Sequence, residues 1–257
     1  MINNNSLIPL ILSLLAGLST VIGAFILFFS KAENKKLITF ALSYSAGVMI
    51  TVSFTDLFIS AEETLSKHNG NIKGVLYSLL FLLIGALMAL LIDKFIPEAP
   101  KTNDNTNEKL YRVGFVSMIA LMIHNFPEGI ATFISGYENT SLGISIALAI
   151  ALHNIPEGIS IAMPIYYSTK SKFKAFKYTL YSGLAEPLGA FLAFLFLRPY
   201  INDIILSITF ALVAGIMLYI SFAELIPAAR RYKYHSIYLF SIFLGIFTII
   251  LSHTYSH

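Results

Sequence analysis

Apolar residues run along the chain in long blocks that short polar segments interrupt at nearly regular intervals. A block of about 20 apolar residues forms a helix long enough to cross a hydrocarbon core of roughly 30 Å. The blocks predict eight transmembrane helices, at 7–30, 37–60, 74–95, 113–135, 142–166, 175–197, 204–222 and 237–253. We therefore expect an all-α integral membrane protein with one transmembrane domain over residues 1–257.

The composition supports this fold class. Hydrophobic residues make up 56% of the chain and charged residues 12%, and the mean hydropathy is +0.75, whereas about 25% of residues are charged in a soluble domain. The first apolar block is too long for a signal peptide and has no preceding Lys or Arg, so we expect a permanent helix. The chain has no cysteine, which excludes disulfides and thiolate metal sites.

Basic residues fall mainly on one side of the predicted membrane. Of the 17 Lys and Arg residues, only Lys67, Lys73 and Arg198 lie in even-numbered connections, and the other fourteen lie in or beside odd-numbered ones. The positive-inside rule makes the odd-numbered connections cytoplasmic and places both termini outside. The most polar connection, 97–109, has the composition of a flexible linker, so we expect a flexible cytoplasmic loop there.

Several spans resemble one another, as in transporters built from inverted repeats. The segment "AGVMITVSFTDLFISA" (46–61) aligns with "AGIMLYISFAELIPAA" (214–229), and "GLSTVIGAF" (17–25) aligns with "GLAEPLGAF" (183–191). Spans two and seven, and spans one and six, are thus related across five crossings and run in opposite directions. The pattern predicts a 3+2+3 arrangement of helices about a pseudo-two-fold axis in the membrane plane.

The polar residues of spans four and five form the same hexamer, "HNFPEG" at 124–129 and "HNIPEG" at 153–158. An ionisable side chain at membrane depth costs roughly 3 kcal/mol and faces a cavity or a partner. With about 100° per residue, Glu128 lies about 40° and Asn125 about 100° from His124 around the helix. One carboxylate therefore lies between an imidazole and an amide, which predicts a site for one or two metal ions.

Span six adds a further intramembrane carboxylate, Glu186, next to a helix-breaking proline in "LAEPLGA". Buried carboxylates without a cation would repel one another, so we assign Glu186 as a further ligand facing the two hexamers. The candidate metal ligands are His124, Asn125, Glu128, His153, Asn154, Glu157 and Glu186.

Asp56 and Glu224 lie near the ends of spans two and seven and occupy aligned positions in the repeat. They could line an access route or lie at the interface in water. We favour the interface because a charge near a helix end costs little.

Imidazole, carboxylate and amide ligands suit Zn²⁺, Fe²⁺, Mn²⁺ and Co²⁺, while the lack of thiolate argues against Cu⁺ and the imidazoles argue against Mg²⁺. An alternative function is an intramembrane metal-dependent hydrolase that uses a metal-activated water. Its usual H-E-x-x-H signature does not occur in this sequence. A metal-gated receptor is disfavoured by the short connections, which leave no domain to carry a signal.

At these motifs the chain resembles the ZIP family of divalent-metal transporters, and the intact second hexamer is similar to its bacterial, broad-range zinc uptake branch. The resemblance covers essentially the whole chain. It implies metal uptake across the cell membrane into the cytoplasm, with the seven ligands above binding the ion and some of them bridging two ions. It also implies a homodimer and an elevator-like movement of spans one, four, five and six against spans two, three, seven and eight. Zn²⁺ or Fe²⁺ would be bound as substrate, with no catalytic cofactor, no enzyme activity and no nucleic-acid partner.

Overall fold

The regular structure is helical throughout the residues that the computed structural model describes, which are 4–29, 34–95, 105–138, 140–197 and 202–254. Three π-helical turns in these residues, Ser53–Phe58, Ala193–Leu197 and Ile220–Leu225, continue α-helices without a break. The α-helices are α1 (Asn4–Phe29), α2 (Lys35–Val52), α3 (Ile59–Asn69), α4 (Asn71–Phe95), α5 (Asn105–Glu138), α6 (Thr140–Thr169), α7 (Lys172–Leu192), α8 (Asp203–Tyr219), α9 (Ile226–Arg230) and α10 (His235–Thr254).

The predicted all-α membrane fold is confirmed. Seven helical stretches among the described residues are long and apolar enough to cross a membrane, and His235–Leu251 in α10 is a shorter apolar helix. The second stretch is longer than the predicted span 37–60, because α2, a π turn and α3 form one stretch of 35 residues, Lys35–Asn69. Asn34 caps its start by accepting a hydrogen bond from the Leu37 amide, and Gly70, with φ of 86°, ends it.

The predicted flexible loop 97–109 lies partly outside the described residues, which omit 96–104. Its last part differs from the prediction, since α5 already begins at Asn105. The first turn of α5 carries Glu108, and an acidic residue at a helix N-terminus stabilises the helix through its dipole.

The helices pack into two groups. We call α1, α5, α6 and α7 the site bundle, and α2, α3, α4, α8 and α10 the flanking bundle. Glycines bring backbones together inside each group: a Cβ on Gly17 would meet the Gly183 carbonyl in the site bundle, and a Cβ on Gly47 would meet the Ile242 carbonyl in the flanking bundle. Small residues permit such close crossings of membrane helices, so each bundle is tightly packed internally.

The seam between the bundles is mainly apolar, with Met49 and Met217 fully buried in the cluster that fills it. The two methionines therefore act as packing residues. Hydrogen bonds also cross the seam: the Tyr167 hydroxyl donates to the Asn34 carbonyl at 2.9 Å, and the Ser45 hydroxyl donates to the Pro156 carbonyl at 2.6 Å.

An ion pair joins the bundles at the end where the basic connections lie, which we call the basic end. Arg112 on α5 contacts Asp93 on α4 through Nη2 and Oδ1 at 2.8 Å, and the same nitrogen donates to the Asp93 carbonyl at 2.6 Å. The other carboxylate oxygen of Asp93 accepts a hydrogen bond from the Tyr219 hydroxyl on α8 at 3.0 Å. Asp93 thus contacts both bundles at once.

Two of the π turns fall at nearly equivalent places in the predicted repeat. Ser53, which begins the first turn, aligns with Ser221, and Ser221 lies in the turn Ile220–Leu225. The two helical stretches share this local irregularity, while the complete 3+2+3 arrangement stays a prediction.

Candidate metal site

Three helices of the site bundle carry the predicted ligands. The hexamers lie on α5 and α6, and Glu186 lies on α7; these helices continue through Pro127, Pro156 and Pro187. The seven candidate residues are all buried, with at most 6% of the surface of each residue exposed: His124, Asn125, Glu128, His153, Asn154, Glu157 and Glu186.

The imidazoles and carboxylates of the two hexamers converge on one point. His124 Nε2 lies 3.3 Å from Glu128 Oε1 on the same helix and 3.1 Å from Glu157 Oε1 on the next. His153 Nε2 lies 3.1 Å from Glu128 Oε1. Ligand atoms of His124, Glu128 and His153 all lie within 4.8 Å of one another, which is the spacing that a shared cation requires.

Two asparagines extend the site toward neighbouring backbone. The Asn125 amide nitrogen donates to the Ser182 carbonyl on α7 at 3.1 Å. The Asn154 amide nitrogen donates to the Ala16 carbonyl on α1 at 2.9 Å and to Glu186 Oε2 at 2.8 Å. Because these bonds engage the nitrogens, each amide presents its oxygen, which is the atom that binds a metal ion.

Many ligand atoms at the site have no hydrogen-bond partner among the described residues. A buried polar atom left without a partner costs about 1–3 kcal/mol, so a cluster of such atoms indicates a site built for a ligand. The atoms are Nδ1 of His124, Oδ1 of Asn125 and of Asn154, Oε2 of Glu128, Oε2 of Glu157 and Oε1 of Glu186.

A cavity of about 670 Å³ connects this cluster with the end of the protein opposite the basic end. Glu128 and His153 lie on its wall, as do Ser135 and Leu206 near the far ends of α5 and α8. The rest of the lining is mostly apolar. The few polar side chains are therefore the groups that an ion in the cavity would contact.

Asp56 lines the same cavity, in the π turn between α2 and α3. The structure therefore favours the access-route interpretation of Asp56 over the interfacial one. The turn lies within a longer helix than the apolar pattern predicts, so Asp56 is not close to a helix end.

The structure thus places all seven predicted ligands in one buried region, with four of them in direct contact and Asn154 joined to Glu186. Sequence reasoning missed Ser182 and Ala16, which orient the asparagines through their carbonyls. Every residue has a backbone carbonyl, so residue type does not show which carbonyl accepts these bonds. The only sequence feature that could have indicated the contacts is the presence of small residues in α1 and α7.

Comparison with known proteins identifies the family of the chain. The sequence profile of the family described as ZIP Zinc transporter matches residues 96–253. The chain is 44% identical to the zinc transporter ZupT of Oceanobacillus iheyensis, with 97% of this chain and 98% of the relative covered. It is 46% identical to ZupT of Streptococcus mutans, covering 94% and 95%, and 41% identical to ZupT of Clostridium perfringens, covering 97% and 96%.

Proposed function

The chain belongs to the ZIP family of zinc transporters, and we propose that it carries Zn²⁺ across the cell membrane into the cytoplasm, with Fe²⁺, Mn²⁺ and Co²⁺ as further substrates. It is a multi-pass membrane transporter and not an enzyme, which removes the hydrolase alternative. The ion would bind at the seven buried residues of α5, α6 and α7 as cargo.

One observation carries this proposal: ligand atoms of His124, Glu128 and His153 lie within 4.8 Å of one another on a cavity that leads out of the protein. A structural metal site would be closed on all sides and saturated by protein ligands. A transport site must bind its ion and also release it, and a partly open site with weak amide ligands meets both conditions.

The ligand types favour borderline metal ions. Two imidazoles, three carboxylates and two amide oxygens suit Zn²⁺, Fe²⁺, Mn²⁺ and Co²⁺. Glu128 Oε1 lies close to both imidazoles, 3.3 Å from His124 Nε2 and 3.1 Å from His153 Nε2, which supports a centre in which this carboxylate is shared between the two histidines. We propose a site for one or two ions.

The side from which the ion would enter this conformation follows from the predicted topology. The basic end would face the cytoplasm by the positive-inside rule, so both termini would lie outside and the cavity would open outward. An ion would then pass Asp56 before it reaches His153 and Glu128. The Arg112–Asp93 ion pair lies on the opposite side of the site and supports a conformation closed toward the cytoplasm.

We propose that the site bundle moves as a unit against the flanking bundle, in a homodimer. The glycine crossings described above hold helices together inside each bundle, while the seam between them is apolar with few hydrogen bonds. On α4, the buried side of the helix is made of Gly74, Ser78, Gly85 and Ala89, which leaves its large apolar side chains for lipid or a second copy of the chain.

The decisive experiment is uptake of radioactive zinc and iron(II) into proteoliposomes. Wild type is compared with Glu157→Ala, which removes a fully buried ligand, and with Glu63→Ala, which changes an exposed carboxylate. Wild type and Glu63→Ala are expected to take up zinc, and Glu157→Ala is expected to lose uptake. Zinc uptake by Glu157→Ala at the wild-type rate would refute the proposed site, and uptake of zinc without iron would restrict the substrate range.

A further inference from the structure

A groove of about 530 Å³ lies between the first turns of α2 and α10, two helices that carry none of the candidate metal ligands. Its walls combine large apolar side chains with a small number of polar ones. The residues that line it are Asn34, Lys36, Leu37, Phe40, Ser236, Ile237 and Phe240.

The groove exists because α2 and α10 touch at one level and separate at another. The helices are closest where Gly47 meets the Ile242 carbonyl and Gly245 meets the Tyr44 carbonyl. Leu37 lies ten residues before Gly47, about 15 Å away along the helix axis. At that level both helices carry bulky side chains, so their backbones cannot approach and a wedge opens toward the basic end.

The walls of the wedge are apolar. Leu37 and Phe40 on α2, and Ile237 and Phe240 on α10, are spaced by three residues and therefore lie on one face of each helix. Phe240 is 64% exposed. Water in such a wedge would hydrate apolar surface at a cost of about 25 cal/mol per Å², so an acyl chain is the favoured filling in a bilayer.

The open end of the wedge is basic. Lys36 lines the groove, and its Nζ lies 5.9 Å from the centre of the ring of Tyr234, the residue before α10. The Ser236 hydroxyl lies on the opposite wall, and the residues described as lining the groove include no acid. Both helices begin here and point the positive ends of their dipoles in this direction, and Arg230, Arg231 and Lys233 directly precede α10.

We propose that the groove binds one anionic glycerophospholipid. The phosphate of its headgroup lies against Lys36 and Ser236, and one acyl chain fills the wedge between Leu37, Phe40, Ile237 and Phe240. The charge of the open end selects an anionic headgroup over a zwitterionic one, since a basic residue near the membrane surface contributes roughly 1 kcal/mol toward anionic lipid.

The test is native mass spectrometry of the purified full chain in detergent with equal amounts of phosphatidylglycerol and phosphatidylcholine. Wild type is expected to retain phosphatidylglycerol preferentially. Lys36→Gln is expected to lower the ratio of retained phosphatidylglycerol to phosphatidylcholine about fivefold, which corresponds to the roughly 1 kcal/mol of one basic residue. Lys35→Gln, which removes the neighbouring charge outside the groove lining, is the matched control and is expected to leave the ratio unchanged.

A second pair of variants tests the acyl-chain wedge. Phe240→Ala is expected to weaken retention of both lipids, whereas Phe243→Ala, which removes a 67% exposed side chain outside the groove lining, is expected to leave retention unchanged. Equal effects of Lys36→Gln and Lys35→Gln, or no preference of wild type for the anionic lipid, would overturn the proposal.

A second copy of the chain is the competing occupant. Because the chain has no cysteine, Phe40→Cys introduces a single thiol in the groove. A disulfide-linked dimer of this variant in vesicles that contain phosphatidylglycerol would show that protein covers the groove and would overturn lipid binding there. A thiol that stays monomeric supports it.

Discussion

The amide nitrogen of Asn154 lies 2.8 Å from Glu186 Oε2, which joins the second hexamer on α6 to the intramembrane carboxylate of α7. The same nitrogen also donates to the Ala16 carbonyl of α1. One side chain therefore ties together three helices of the site bundle. Its oxygen, which has no hydrogen-bond partner among the described residues, is left for a metal ion.

This contact predicts a difference between the two asparagines. Asn154→Asp keeps an oxygen ligand but replaces the donor with a carboxylate that faces both Glu186 and the Ala16 carbonyl. Asn125→Asp makes the same change where the nitrogen faces the Ser182 backbone carbonyl and, at 3.5 Å, the Ser182 hydroxyl. We expect Asn154→Asp to be the more damaging substitution, with at least a tenfold loss of zinc uptake, because an unmatched buried charge costs several kcal/mol. Uptake assays and thermal unfolding of both variants check this, and equal damage would count against the role of the Glu186 contact.

The close packing of α5 on α7 predicts that Gly129→Ala displaces Glu186. A Cβ at this position would meet the Glu186 carbonyl carbon and oxygen, which belong to the backbone and cannot rotate away. Overpacking of this kind costs about 1–3 kcal/mol, more than the roughly 1 kcal/mol that alanine gains over glycine in a helix. We expect a lower unfolding temperature and weaker zinc binding.

Gly136→Ala on the same helix is the control for that substitution. Its Cβ would lie 3.2 Å from side-chain atoms of Pro9 and would meet no closer atom. The gain in helix propensity should offset this milder contact, so stability and zinc binding should stay near the wild-type values. A destabilisation as large as that of Gly129→Ala would contradict the expectation that the Pro9 contact is the milder of the two.

The position of Asp56 on the cavity wall predicts a role in capture of the ion. A carboxylate along an access route raises the local concentration of a cation without altering the binding site itself. We expect Asp56→Asn to raise the KM for zinc several-fold at low ionic strength and to leave the maximal rate unchanged. The effect should shrink at high salt, where charges are screened. Glu63→Gln, which changes an exposed carboxylate of α3, should have no effect at any salt concentration.

The ion pair between Arg112 and Asp93 allows a test of movement at the seam. In the cysteine-free chain, the pair of substitutions Arg112→Cys and Asp93→Cys places thiols on α5 and α4, in different bundles. Cross-linking them with a short bifunctional reagent should stop zinc uptake, and cleavage of the linker should restore it.

The matched control for this cross-link lies within the flanking bundle. Asp93→Cys with Tyr219→Cys replaces a contact between α4 and α8, and cross-linking it should leave uptake unchanged. Uptake that continues after the Arg112–Asp93 positions are cross-linked would contradict movement of the two bundles past each other.

Much of the site could be predicted from the sequence because its polar residues lie in otherwise apolar helices. His124 and Glu128 are conspicuous in an apolar helix, and their recurrence as His153 and Glu157 identifies a shared function. The spacing of four residues places His124 and Glu128 on one helix face, as the structure shows. Glu186 is predicted as a ligand for the same reason, because it is a charged residue beside a proline at membrane depth.

The remaining features depend on which helices are neighbours, and apolar periodicity does not encode this. Asp56 has the same residue pattern around it whether its side chain faces water, lipid or a cavity. The apolar block also ends at residue 60, while the helix continues with polar residues to Asn69. Polar turns beyond the bilayer carry no hydrophobic signal, so their helical state depends on packing of α3 against α4.

The π turns in the two stretches that share the repeat carry information about ancestry. A π turn spans one more residue than an α turn, which corresponds to a single inserted residue in a helix. The turns Ser53–Phe58 and Ile220–Leu225 occupy nearly the same place in the two segments that the predicted repeat aligns. If the two aligned segments derive from one ancestral segment, one insertion before its duplication would explain both turns more simply than two later insertions at matching positions. Under the predicted repeat, the irregularity would be older than the joined chain.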